Sequence, residues 1–287
     1  MTIDQQLAEW WLTNLETSAR FDAPWVADAV AWLVETSDRP GASGPPQRVL
    51  DVGCGAGGAA CAFAAALGSG VVTGFDRDPR LLAIARRRAA DAGLAGQIFG
   101  WTCAGVDALP VETGSADLVW ASGVVHHLPD QQAAIGTLAA LLRPGGRLAL
   151  VEGGLPVRCL PFDIGLGRVG LESRLDEARS RWFADMRGEL RGPPWPYGWP
   201  EGLRRAGLID VRARSFLAEV PPPLDDFGRQ VAERHLSSAL SELGDRLAPD
   251  DRDTIGRLLD PDDTAYVGRR DDLMVTAVRT LNVGTAA

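Results

Sequence analysis

Two adjacent histidines, His126 and His127, follow the apolar run Asp117 to Ala121 and precede Leu128-Pro129-Asp130. Histidine ordinarily titrates near neutrality, so a pair at a strand exit can take a proton from a hydroxyl or an amine. Three acids accompany other apolar runs. Asp51 lies in Val49-Leu50-Asp51-Val52, Asp76 ends Val71-Val72-Thr73-Gly74-Phe75, and Asp107 follows Ile98 to Cys103. The first two bracket Gly53-Cys54-Gly55-Ala56-Gly57-Gly58, a turn carrying four glycines. With so few side chains in the way, a ligand can approach backbone N–H groups at the start of a following helix.

Alone, this turn leaves two readings open. Gly53, Gly55 and Gly58 satisfy G-x-G-x-x-G, and Asp76 follows 18 positions later. That layout holds a ribose in a nicotinamide enzyme and in an S-adenosylmethionine enzyme alike. Asp51 separates them. A carboxylate beside the turn suits a ligand with an ammonium and a sulfonium and repels a pyrophosphate. The glycine turn, Asp76, Ala104-Gly105-Val106-Asp107-Ala108-Leu109-Pro110 and Val124-Val125-His126-His127-Leu128-Pro129-Asp130 together resemble, in order, the motifs of class I S-adenosylmethionine-dependent methyltransferases. The nearest subgroup methylates small molecules such as quinones and natural products. The resemblance covers Arg48 to Glu152 and, more weakly, Trp199 to Leu217 and Leu273 to Thr280.

The resemblance implies an α/β fold: a Rossmann-like, seven-stranded, mostly parallel sheet with helices on both faces, an antiparallel last strand, and a helical lid inserted in two segments. It implies S-adenosyl-L-methionine as cofactor and S-adenosyl-L-homocysteine as product. Gly53, Gly55 and Gly57 would form the turn under the methionine part, with Asp51 orienting the loop or accepting from the amino group. Asp76 would take both ribose hydroxyls, with Arg77 along the adenine face. Asp107 would accept from the adenine amino group beside Val106 or Ala108. Ser122 to Leu128 would lie where the methyl group is transferred. His126 would face the substrate as a base and His127 would pack inward, the alternative being a structural role for both. The strand-four exit Ala121-Ser122-Gly123-Val124 departs from the (Asp/Asn)-Pro-Pro-(Tyr/Phe) sequence of nucleobase amino-methyltransferases. There is no clear acidic trio for a catechol-type magnesium site.

The elements that must position these residues are legible from periodicity. Residues 3–17 and 24–37 read as two helices, Trp25, Ala29, Trp32 and Leu33 recurring at helical spacing in the second. Strands are expected near 48–52, 71–75, 97–102, 117–121 and 146–152, and helices near 56–67, 79–92 and 130–142. Asp78 is the expected cap of the helix that starts at Pro79. A short helix is expected at Trp199 to Gly207, strands at Ile209 to Leu217 and Leu273 to Thr280, and helices around 225–246 and 250–259. The expected division is 1–40 as N-terminal helices closing the cofactor site, 41–152 as cofactor-binding core, 153–198 and 221–272 as lid segments, 199–220 as core helix and strand, and 273–287 as final strand and tail. Trp182, Trp195 and Tyr197, with Phe183 and Trp199, are candidates to line an apolar substrate pocket. Trp10, Trp11 and Phe21 read first as core. The seven arginines from Arg158 to Arg191 are interleaved with six acids, which predicts a solvated helical face.

Composition excludes other classes. The 287 residues are 46% hydrophobic, enough for one large domain or a core with a cap. A net charge of −9 opposes nucleic-acid or anionic-membrane partners. All 29 basic residues are arginine; the missing lysine removes pyridoxal-phosphate Schiff bases, the Walker lysine and the Tyr-x-x-x-Lys pair of dehydrogenases. Cys54, Cys61, Cys103 and Cys159 show no Cys-x-x-Cys spacing and His235 stands apart, so no metal site and reduced thiols in a cytoplasm are expected. No signal peptide and no bilayer span are expected. These readings converge on a cytoplasmic methyltransferase, monomer or homodimer, acting on a small organic molecule in bacterial specialised metabolism, with oxygen favoured over nitrogen. The alternatives are a non-methylating enzyme of the same fold and cofactor (cyclisation, decarboxylation) and a non-catalytic cofactor-binding protein.

Overall fold

A computed structural model describes residues 3–35 and 46–287, with side chains from residue 16 onward apart from that of Phe99. The chain divides into two compact units. One comprises Ala23–Gly153, Arg191–Phe216 and Arg279–Ala287; the other comprises Met1–Asp22, Gly154–Leu190 and Leu217–Val278.

The first unit is built on the sheet. Strands β1 (Arg48–Val52), β2 (Val71–Asp76), β3 (Ile98–Cys103) and β4 (Ala116–Ser122) alternate with helices α2 (Gly58–Leu67) and α3 (Pro79–Asp91). Helix α4 (Gln131–Ala140) leads into β5 (Leu142–Arg158), and α6 (Trp199–Arg205) precedes β6 (Ile209–Val220); β7 (Val275–Thr285) is the last strand. Strand order is β3-β2-β1-β4-β5-β7-β6. The pairs β3–β2, β2–β1, β1–β4 and β4–β5 are parallel. Gly145 and Gly146 exchange backbone hydrogen bonds with Ala286, whereas the Asn282 amide reaches the carbonyls of Leu150 and Glu152. Strand β7 therefore runs antiparallel to β5, and the sheet is a mixed Rossmann-like one.

Local chemistry explains the starts and stops. Val49 to Val52 are all buried because the central parallel strand is covered on both faces. The side chain of Asp78 accepts from the Arg80 N–H at 2.8 Å, with Pro79 in the first helical turn. Asp130 caps α4 through the Ala133 N–H at 2.9 Å. On one face Trp120 is clasped by Trp25 and Phe63. The buried Arg147 donates to the carbonyl of Leu33 at 2.6 Å, satisfying an acceptor in the last turns of the N-terminal helix.

Three expectations are corrected. Residues 3–35 form one helix, α1 (Ile3–Glu35), with Pro24 inside it; its helical spacing persists through a residue that lacks only one N–H. Helix α4 ends at Ala140, so β5 begins at Leu142, ahead of the glycines, with a register shift between Ala116 and Leu118. Strands β6 and β7 run on to Val220 and Thr285, past the expected Leu217 and Thr280, because burial continues beyond those points: Ala218 in β6 and Leu281 to Thr285 in β7 are buried. Of the loop expected at 38–47, residues 38–45 lie outside the described residues, as do the side chains of Trp10 and Trp11; Phe21 is buried.

The second unit gathers α5 (Leu171–Glu189), α7 (Asp226–Leu243) and α8 (Pro249–Leu259) with the loop 159–170. Charge pairing is dense. Arg168 and Arg174 both bind the buried Asp251 at 2.9 Å. Asp176 takes Arg158 and Arg179, and Glu177 takes Arg181, as expected of a solvated helical face. Among the described residues no helix is long and apolar enough to cross a membrane.

Candidate active site

A cleft of about 260 Å³ opens in the first unit at the carboxyl ends of β1, β2, β3 and β4. This is where strand order reverses, β1 leading outward to β2 and β4 to β5, and connecting chains part to leave a crevice. Its walls are Val52 and Gly53 from β1, Asp76, Arg77 and Leu81 from β2 and α3, Ala104 to Val106 beyond β3, and Ser122 to Val124 with His127 and Leu128 beyond β4.

The glycine turn is bonded inward. The N–H groups of Gly53 and Cys54 both donate to the Phe75 carbonyl, at 2.8 and 2.9 Å, and that of Gly57 donates to the Cys54 carbonyl at 2.8 Å. The Gly55 N–H donates to Asp76 Oδ2 at 2.9 Å. The N–H groups of Gly53, Cys54, Gly55 and Gly57 are thus taken. Gly53 is required sterically: its φ is +69°, and a Cβ there would lie 2.2 Å from Val124 Cγ2. Gly57 does not line the cleft; a Cβ on it would collide with Trp101 and Ala85. Gly55 also lies off the cleft wall and serves through its N–H. Arg88 donates to the Ala56 carbonyl at 2.8 Å and steadies the turn from α3.

Asp76 holds two loops together. Oδ2 accepts from Gly55 and Oδ1 accepts from the Asp78 N–H at 2.9 Å. A carboxylate offers about four acceptor positions, so two remain for a ligand in the cleft that Asp76 lines. Asp51 is placed otherwise than expected. It is buried on the opposite side of β1 from Leu50 and Val52, under α2, where the Ala60 N–H points at it. Burial pushes its carboxyl up to about 7, the Ala60 N–H opposing and Asp76 adding to the rise. Its Oδ2 has no hydrogen-bond partner. Asp51 does not line the cleft, so an approach to a ligand amino group is not supported; it accepts from the Ala60 N–H in the first turn of α2.

The two histidines are placed otherwise than expected. His127 lines the cleft, whereas His126 turns its Nδ1 to Glu152 Oε2 at 2.6 Å. Glu152 Oε1 accepts from the N–H groups of Val124 and Val125 at 3.0 and 2.8 Å. This buried acid therefore clamps the whole strand-four exit. The two imidazoles are 4.0 Å apart between ring centres. The outer edge of His127 is exposed, yet partial burial, followed by His126, pushes its pKa below the ordinary histidine value. Glu152 was not singled out from sequence, although it repeats the signal of Asp76, an acid closing an apolar strand.

Val106 lines the cleft, but Asp107 and Ala108 do not; the Asp107 carboxylate folds against Gly105, where a Cβ would be 2.7 Å from Oδ1. Trp195 and Tyr197 are also off the cleft. They pack on each other, Trp195 also packs on Trp199, and Tyr197 donates to the Gln132 amide oxygen at 3.0 Å, so they wedge α6 against α4. Trp182 belongs to α5 in the second unit, as does Phe183. The expected substrate group is thus divided in sequence between the units, Trp195 and Tyr197 in the first and Trp182 in the second.

Comparison with known proteins agrees with this geometry. Residues 49–146 match the family described as the methyltransferase domain. The chain is 33% identical over 197 residues to a tRNA U34 carboxymethyltransferase of Methylococcus capsulatus, covering 66% of this chain and 54% of the relative. It is 39% identical over 164 residues to a ubiquinone biosynthesis O-methyltransferase of Xanthomonas axonopodis, covering 56% and 62%. It is 39% identical over 103 residues to a 27-O-demethylrifamycin SV methyltransferase of Amycolatopsis mediterranei, covering 36% and 37%. The chain thus spans less than two thirds of the length of these curated relatives. A candidate methyltransferase of Bacillus halodurans shares the fold, with a TM-score of 0.50 at 16% identity over 89% of this chain and 97% of that one. The protein carries a class I S-adenosylmethionine-dependent methyltransferase domain.

Proposed function

We propose that the cleft binds S-adenosyl-L-methionine and that the protein transfers its methyl group to a small organic molecule, at oxygen in preference to nitrogen, in bacterial specialised metabolism. One observation carries the cofactor assignment. The N–H groups of Gly53, Cys54, Gly55 and Gly57 end on Phe75, Asp76 and Cys54, and Asp51 already occupies the start of α2. These four donors are not available to a pyrophosphate, and Asp76 places a carboxylate beside the cleft, which suits a cationic ligand. The free acceptor positions of Asp76 suit ribose hydroxyls. Arg77 and Val106 would border the adenine.

Methyl transfer requires the nucleophile, carbon and sulfur to be collinear, with reacting atoms about 3–3.5 Å apart. Ser122 and His127 border the part of the cleft assigned to the methyl group. His127 is the proposed proton acceptor, kept neutral at physiological pH by its lowered pKa. Glu152 selects the Nδ1–H tautomer of His126, which supports the neighbouring ring. The ubiquinone and rifamycin relatives support an oxygen acceptor on a small molecule. The tRNA relative raises a nucleic-acid acceptor, which a net charge of −9 opposes.

The test is S-adenosylhomocysteine release from S-adenosylmethionine across a panel of phenolic, alcoholic and amine acceptors. His127→Ala is expected to lower turnover 10²-fold or more with cofactor affinity within about threefold. The acid limb of the rate profile should fall below pH 6.5, because a base of depressed pKa stays unprotonated to lower pH. Unchanged turnover in His127→Ala removes it as the base. Product formation without S-adenosylhomocysteine release identifies a non-methylating reaction.

A further inference from the structure

The second unit contains a polar cluster that the proposed methyl transfer does not use. Cys159 follows the end of β5, Glu172 lies in the first turn of α5, and His235 lies on α7. All three are buried, and one ligand-type atom from each lies within 4.8 Å of the others. Glu172 Oε2 is 3.0 Å from His235 Nε2. Its Oε1 is separately held by the N–H groups of Cys159 and Leu160, at 2.8 and 3.1 Å. His235, isolated in sequence, is therefore part of a constellation with a thiol and a carboxylate.

We propose that Cys159 Sγ, Glu172 Oε2 and His235 Nε2 bind a zinc ion that ties the end of β5 to α5 and α7. The donor set chooses the metal. One thiolate, one imidazole and one carboxylate suit a borderline-soft ion, whereas calcium and magnesium take oxygen ligands. The spacing is right. Two ligands each about 2.0 Å from one tetrahedral ion are roughly 3.3 Å apart, close to the observed 3.0 Å between Oε2 and Nε2. The carboxylate is already oriented by two backbone donors, which is how metal-binding carboxylates are held in place. Burial and the adjacent Glu172 carboxylate keep the Cys159 thiol protonated when no ion is present. Binding releases that proton to solvent as the Zn–S bond forms, with no change of oxidation state. Three protein donors leave the fourth tetrahedral position to water.

The test is metal analysis of tag-free, full-length protein, followed by titration of metal-stripped protein with cobalt(II). About one zinc per chain is expected. Cobalt should give a near-ultraviolet thiolate-to-metal charge-transfer band that saturates at one equivalent. Cys159→Ser should abolish the band, and His235→Ala should weaken binding tenfold or more, while Cys103→Ser retains both. Zinc should also raise the thermal midpoint of the stripped protein. Because wild-type protein alone reports stoichiometry and the band, a variant that fails to fold does not decide the matter. Absence of zinc together with no cobalt band in wild-type protein overturns the proposal. Retention of the band in Cys159→Ser overturns it equally.

Discussion

Asp51 has its ionisable group buried beside the first turn of α2. Burial holds its carboxyl near 7, far above the ordinary 3.8, so the folded state retains a proton that the unfolded chain releases. The sign follows: stability from this group is fully present below pH 3.8 and is lost as pH rises to about 7. Asp51→Asn is therefore expected to stabilise the protein at pH 8 and to be near neutral at pH 4, read as thermal midpoints across pH. A gain independent of pH contradicts this assignment. Gly53 is a second residue whose role is local. An alanine there takes on a left-handed conformation costing about 1–2 kcal/mol and a collision with Val124 Cγ2 at 2.2 Å. Denaturant melts should show Gly53→Ala destabilised, with Val124→Ala on top recovering only the collision part. Both residues were visible in sequence as an acid and a glycine at a strand exit. What sequence could not give was the side of β1 that Asp51 faces relative to the cleft, because both faces of a buried parallel strand are apolar and no alternation marks them.

At the scale of elements, the cleft is made by four strand exits held in register, and Glu152 is the clamp on the fourth. Its two oxygens engage Val124, Val125 and His126 at once. Glu152→Ala leaves buried donors unsatisfied and should cost about 3 kcal/mol in chemical denaturation. Glu152→Gln keeps an acceptor for the two backbone groups but presents an amide to His126. Its fold should be nearly intact, with turnover reduced tenfold or more and the rate profile displaced along pH. A profile identical to wild type would mean that this carboxylate does not act on the proposed base His127. The strand and helix alternation from Arg48 to Ala140 was legible because each element carries its own periodicity and caps, such as Asp78 and Asp130. Pro24 misled for the opposite reason: a local breaker signal was overridden within a long helix. Glu152 with His126, and Cys159 with Glu172 and His235, were not legible as sets. Their partners lie 26, 13 and 63 residues apart, and only the fold brings them together.

At the scale of the whole molecule, the cleft reads as a receptor for a cation bearing a ribose. The N–H groups of Gly53, Cys54, Gly55 and Gly57 are spent internally, Asp76 lines the cleft, and no lysine exists anywhere in the chain to meet a pyrophosphate. Residues 49–146 carry the family likeness, and the cleft falls within residues 52–128 of that stretch. The acceptor is not written there, since the aromatic residues expected to line its pocket either pack between α4 and α6 or belong to the second unit. Calorimetric titration with S-adenosylhomocysteine and with NAD, on wild-type protein and on Asp76→Ala, tests this most directly. Single-site binding of S-adenosylhomocysteine, weakened tenfold or more in Asp76→Ala, with no heat from NAD, is the predicted result. Binding of NAD, or indifference of S-adenosylhomocysteine binding to the loss of Asp76, would contradict it.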